Sequence, residues 1–150
     1  MSTFISFKPQ GVGFTGHLSL EAIDIWENPE LLIKKASKAY RESILKMRKI
    51  LTRIDKSRRE RKPLYARIMW DMGSAVFELR DKLAEISLEI DGMYSHLERD
   101  LGVRQKWLEK AIILRRYIKR SLIPQNITWS RFEHSTRKKA ERLAKGLPIE

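Results

Sequence analysis

Glycines stand at 11, 13 and 16 in "GVGFTG", the G-x-G-x-x-G spacing with which a dinucleotide-binding loop brings backbone N–H groups close to a pyrophosphate. That chemistry needs a strand before the loop, a helix opening at its end, and a second parallel strand carrying an acid about 20 residues on. "TFISF" could be the first strand, but "KPQ" separates it from Gly11, and no βαβ unit fits downstream. The glycines read as a turn or flexible arm, and no cofactor is expected. His17, His96 and His134 lie on different segments without paired spacing, so no metal site is expected. Asp55 with Glu60 and Lys62 imitates the D…E-x-K of a nuclease, but that chemistry holds its carboxylates on adjacent strands, and here they sit at the end of a basic helix. Glu85, Glu89 and Asp91 read as a solvated face. There is no G-x-S-x-G and no P-loop, so no catalytic residue is assigned and the chain is expected not to be an enzyme.

A different chemistry runs through the whole chain. Its 150 residues carry a net charge of +12, and the charge is banded. Residues 34–62 have a net charge of +10, residues 71–100 of −5, residues 104–120 of +6 and residues 131–145 of +4. Such bands attract polyanions, nucleic acid before an anionic membrane. The most specific stretch is "YSHLERDLGVRQKWLEKAII", residues 94–113. A helix-turn-helix needs apolar contacts on the inward face of both helices and a small residue where the backbone bends. Leu97, Leu101, Val103, Leu108 and Ala111 fall at the buried places and Gly102 at the turn. Glu98 departs, since a small residue there lets the helices approach. The second helix opens with Arg104, Gln105 and Lys106 and continues with Glu109 and Lys110 outside. Arg and Gln at a helix start suit base edges, and Lys suits phosphate. An ordinary helical corner also favours apolar-Gly-apolar. Arg58, Arg59, Arg61, Lys62, Arg137 and Lys138 complete the candidate nucleic-acid-binding set.

The elements that must carry these residues are helical. Residues 1–18 read as an irregular or partly strand N-terminal arm. Ser19 could cap a short helix with Leu20, Ile23 and Trp26. Asn28, Pro29 and Glu30 mark a helix start. Leu32, Ala36, Tyr40, Ile44, Met47, Leu51 and Ile54 form the stripe of a first long helix, which Pro63 ends. Ile68, Met72, Val76, Leu79, Leu83, Ile86 and Ile90 form the stripe of a second, which "DG" at 91–92 ends. Shorter helices follow at about 93–101 and 104–120. Thr128 is placed as the cap of a last helix at 129–145, stopped by Gly146 and Pro148. The expected fold is all-α: an arm at 1–18, then one helical domain over 19–150. That domain comprises an antiparallel hairpin of two long helices, a helix-turn-helix-like pair and a C-terminal helix.

Over about 64–134 the motifs resemble the N-terminal helical domain of the YhcG-type PD-(D/E)xK nucleases. Trp70 and Gly73 match its W-x-x-G, Gly102 and Leu108 its Gly turn with a Leu six residues on, and Trp129, Ser130 and Phe132 its W-S-x-aromatic helix start. The resemblance implies an all-helical, DNA-associated module. Arg104 stands where that family has a capping Ser, and no nuclease domain follows within these residues, so a binding role carries over and catalysis does not.

The expected partner is nucleic acid, DNA before RNA, within a defence or mobile-element setting. The alternative is a small basic subunit of a CRISPR-type ribonucleoprotein complex that touches backbone without reading bases. A third reading docks the basic face on an acidic protein. Apolar residues make up 42% and charged residues 33%, as in a globular chain, and no apolar run reaches membrane-spanning length. The N-terminus lacks signal-peptide character, and the absence of cysteine fits a reducing cytoplasm. The oligomeric state is left open, a homodimer included.

Overall fold

The structure is a computed structural model that describes residues 2–7, 14–19, 29–86 and 88–149. In chain order, its helices are α1 (Pro29–Arg59), α2 (Ala66–Glu85), α3 (Met93–Leu101), α4 (Gln105–Tyr117) and α5 (Thr136–Ala144), with short 3₁₀ turns at Arg120–Leu122 and Trp129–Arg131. The strands are β1 (Ser2–Phe7), β2 (Phe14–Ser19) and β3 (Leu88–Ile90). The described chain is mostly helical, as its periodicity requires.

The long helices pack against each other through their apolar stripes. Leu32, Ala36, Tyr40, Ile44, Met47, Ile50 and Ile54 of α1 are buried, as are Met69, Met72, Ala75, Val76, Leu79 and Leu83 of α2. Lys46 reaches Glu78 at 2.5 Å and Glu42 reaches Lys82 at 3.9 Å, so the two helices run antiparallel. These exposed pairs contribute only about 0–1 kcal/mol each, and the apolar contacts do most of the holding. Between the helices, α1 closes with Lys62 N–H donating to the Ser57 carbonyl and Arg61 N–H to the Arg58 carbonyl, a Schellman end. Arg61 takes the left-handed position at φ 58°, where glycine is usual.

Four local expectations need correction. The second long helix was expected to run to Ile90, but it stops at Glu85, and Leu88–Ile90 is a strand with its two ends buried and Glu89 exposed. Ile86 and Ile90 fit a helical step while Leu88 and Ile90 fit a strand alternation, and pairing with β2 decides between them. The last helix was expected at 129–145. Instead, a 3₁₀ turn at Trp129–Arg131 precedes α5, and Thr128 forms no side-chain cap. The reason is a pairing of this stretch with the start of α2: Trp129 N–H donates to Leu64 O at 2.8 Å and Ala66 N–H to Ile127 O at 3.0 Å. The fourth helix ends at Tyr117 rather than 120, and the chain turns through Arg120–Leu122. Ser19 is a strand residue paired with Ser2, not a helix cap. The short helix expected after it lies outside the described residues.

At the N-terminus, β1 and β2 pair antiparallel from Ser2↔Ser19 to Phe7↔Phe14, and β2 pairs antiparallel with β3. The expected arm is thus partly strand and is joined to the segment after α2. Gly11 and Gly13 lie outside the described residues. Gly16 is within β2, opposite Ile5 on one side and Ile90 on the other. A strand stands where a dinucleotide loop requires a helix to open.

Candidate nucleic-acid interface

The site is built around α4. Its inward residues Leu108, Ala111, Ile112 and Leu114 are buried, mainly against α2. Gly73 of α2 lies directly against the Ala111 backbone, where an added Cβ would fall 2.2 Å from the carbonyl oxygen. Trp70, one turn earlier, donates its indole N–H to the Ile118 carbonyl at 2.8 Å and caps the other end of α4. Trp129 and Phe132 are buried with their rings stacked at 6.4 Å. The W-x-x-G and W-S-x-F residues therefore hold helices together and leave the outer surface to the charged side chains.

The pair α3–α4 turns at Gly102, whose φ of 69° is open to glycine and strained for other residues. Its N–H donates to the Glu98 carbonyl at 2.8 Å and closes α3. Leu97, Leu108 and Ala111 are buried, whereas Leu101 and Val103 are half-buried. Glu98 remains exposed, so the position at which a tight helix-turn-helix wants a small residue is outside the contact. On the other side α3 is tied to α1: the fully buried Tyr40 donates its hydroxyl to the Asp100 carboxylate, and Arg48 donates to the Asp100 carbonyl at 3.1 Å.

The candidate cations fall into groups. Arg58 of α1 and Arg104 at the start of α4 line one groove of about 470 Å³ beside the Gly102 turn. Leu51, Val103 and Trp107 supply its apolar wall, and Asp55 is the acid in it. Lys110 of α4 meets Arg137 and Lys138 of α5 along a second groove of about 630 Å³, with Ile113 and the acids Glu133 and Glu141. Arg137 donates to Glu141 at 3.1 Å, which raises its pKa, and lies over the Tyr117 ring at 4.6 Å. Lys106 is exposed on the outer face of α4. Gln105 turns away from the basic grooves: it is half-buried, donates to Glu109 at 3.4 Å and faces a cleft with Arg80, Glu89 and Tyr94. Arg59 and Arg61 are exposed at the end of α1. Lys62 is paired with Glu60 at 3.0 Å, and that hydrogen bond lowers the pKa of the Glu60 carboxyl.

Trp107 was not picked out from the sequence, although its spacing from Arg104 and Lys110, one helical turn each way, places all three along α4. Other arginines are engaged in the scaffold. Arg67 donates to the Ile123 carbonyl at 2.6 Å, Arg131 to the Ile149 carbonyl at 2.6 Å and Arg142 to the Pro148 carbonyl at 3.2 Å. Among the described residues no His, Asp or Glu cluster could hold a metal ion, and no helix is long and apolar enough to cross a membrane. Compared with family models, curated proteins and solved structures, the chain finds no match.

Proposed function

We propose that this protein binds duplex DNA without catalysis, presenting α4 as the second helix of a helix-turn-helix. The observation that carries the reading is that cations from two other helices join those of α4 in two grooves along it. Arg58 of α1 joins Arg104 at the start of α4, and Arg137 and Lys138 of α5 join Lys110 further along it. A helix entering a major groove about 12 Å wide is bordered by phosphate backbones, and cations on the neighbouring helices along its length are what those backbones attract. The first turn of α4 contains no acid and no side-chain cap, so Arg104 and Lys106 add to the positive end of the helix dipole. The resemblance of 64–134 to a DNA-associated helical module points the same way.

Phosphate contacts set affinity and base-edge contacts set sequence preference, so the two groups of residues separate in a binding experiment. The protein is titrated against a duplex selected from a random pool and against an unselected one. Arg104→Ala is expected to cost about 1–3 kcal/mol on the selected duplex and much less on the other, whereas Gln105→Ala is expected to change either little, because Gln105 faces the Arg80 and Glu89 cleft. Equal loss on both would count against base reading and for a backbone-lining subunit of a ribonucleoprotein. No binding to either duplex would leave the acidic-protein reading.

A further inference from the structure

At the C-terminal end of α4 the chain carries a third basic surface, which plays no part in the reading above. Trp70, Arg115, Arg116, Lys119, Arg120 and Ser121 line an open pocket of about 730 Å³, and no acidic residue is among its lining. The cations are unevenly compensated. Arg120 is held by Asp71 at 2.9 Å. The negative end of the α4 dipole amounts to about half an elementary charge. That leaves Arg115, Arg116 and Lys119 with little to balance them, and none of the three forms a salt bridge among the described residues.

Arg115 is the decisive group. Its guanidinium sits 4.6 Å from the centre of the Phe77 ring and 5.6 Å from that of Trp70, so two aromatic faces hold it in place. Its Nε is buried and has no hydrogen-bond partner among the described residues. Arg116 lies over the same Phe77 ring at 5.7 Å. Arg115 as a whole is half-buried, and a buried guanidinium N–H left without an acceptor is costly. The planar fork of arginine matches the oxygens of phosphate, Lys119 adds a point charge and Ser121 a hydroxyl donor.

We infer that this pocket is an anion site for successive phosphate groups, supplied by a phosphodiester backbone or by a free polyphosphate. The inference is independent of the helix-turn-helix reading, because the pocket is at the opposite end of α4 from Arg104 and uses none of the cations assigned above. It adds a binding site whether or not α4 reads bases.

The test uses the full chain and inorganic pyrophosphate. In wild-type protein, saturable binding at millimolar or lower concentration is expected to shift the NMR resonances of Arg115 Nε–H and the Trp70 indole N–H. Arg116→Gln with Lys119→Gln removes two exposed charges and is expected to weaken binding roughly tenfold or more. Lys49→Gln with Lys56→Gln removes the same charge from the exposed side of α1 and is expected to change it little. Displacement of pyrophosphate by a duplex would identify the source as a nucleic-acid backbone, and failure of displacement would identify a free polyphosphate; both outcomes uphold the site. Absence of saturation, or equal weakening by the two double variants, would overturn it. Because the NMR shift is read on wild-type protein, the result does not depend on either variant folding.

Discussion

Gly73 and Ala111 meet backbone to backbone: the nearest atom to a Cβ placed on Gly73 would be the Ala111 carbonyl oxygen, 2.2 Å away. No rotation of a side chain relieves that contact, since the obstacle is main chain. Gly73→Ala must therefore force α2 and α4 apart. Overpacking of this kind destabilises by about 1–3 kcal/mol or more, and urea unfolding should show it in the midpoint. A midpoint equal to wild type would mean that the two helices are not in this register.

Gly102 is open in space but restricted in conformation. Nothing lies within 4 Å of an added Cβ, yet φ is 69°. Gly102→Ala is expected to cost about 1 kcal/mol, through the left-handed backbone alone. Thermal unfolding checks it, with the loss much smaller than at Gly73.

Arg61 presents the opposite case, an L-residue held at φ 58° in the Schellman end of α1. Arg61→Gly should relieve up to about 1 kcal/mol of backbone strain, less the greater entropy of glycine in the unfolded chain. It also removes one cation. Stability unchanged or raised, together with slightly weaker binding to any duplex, is the expected combination of calorimetry and titration.

Asp100 links α3 to α1. Burial alone would raise its pKa, but the hydrogen bonds from Arg99 and Tyr40 and the Arg99 charge outweigh burial and hold it below the ordinary carboxylate value. Tyr40 stays protonated, because burial and the same carboxylate push its own pKa up. The folded Asp100 thus binds its proton at lower pH than the unfolded one. Its stabilisation is complete above the unfolded value of about 4 and is lost as pH falls through the folded value. Asp100→Asn should lower stability by about 1 kcal/mol at neutral pH. The difference from wild type should shrink below about pH 4. A difference constant from pH 7 to pH 2 would refute the linkage.

If α4 binds nucleic acid as proposed, binding through the two grooves beside it is expected to be electrostatic. Six phosphate contacts would give log K a slope of roughly −5 against log salt. Fluorescence anisotropy at several salt concentrations measures this slope. An affinity insensitive to salt would favour a protein partner over nucleic acid.

Read alone, the sequence determined what is periodic or local. The stripe from Leu32 to Ile54, the Gly102 turn between α3 and α4, and the banding of charge all depend on residues a few positions apart, where helix geometry and backbone stereochemistry operate. Tertiary structure decided what depends on distant neighbours. Leu88–Ile90 satisfies two periodicities, and only pairing with β2 makes it a strand. The Trp129 stretch bends away from a helix because Leu64 accepts its N–H. Arg67 and Arg131 look as available as Arg58 in the sequence, yet they are consumed by the carbonyls of Ile123 and Ile149. The meeting of Arg58 with Arg104 across one groove follows from the way α1, α3 and α4 pack, since the two are 46 positions apart in the chain and no local spacing relates them.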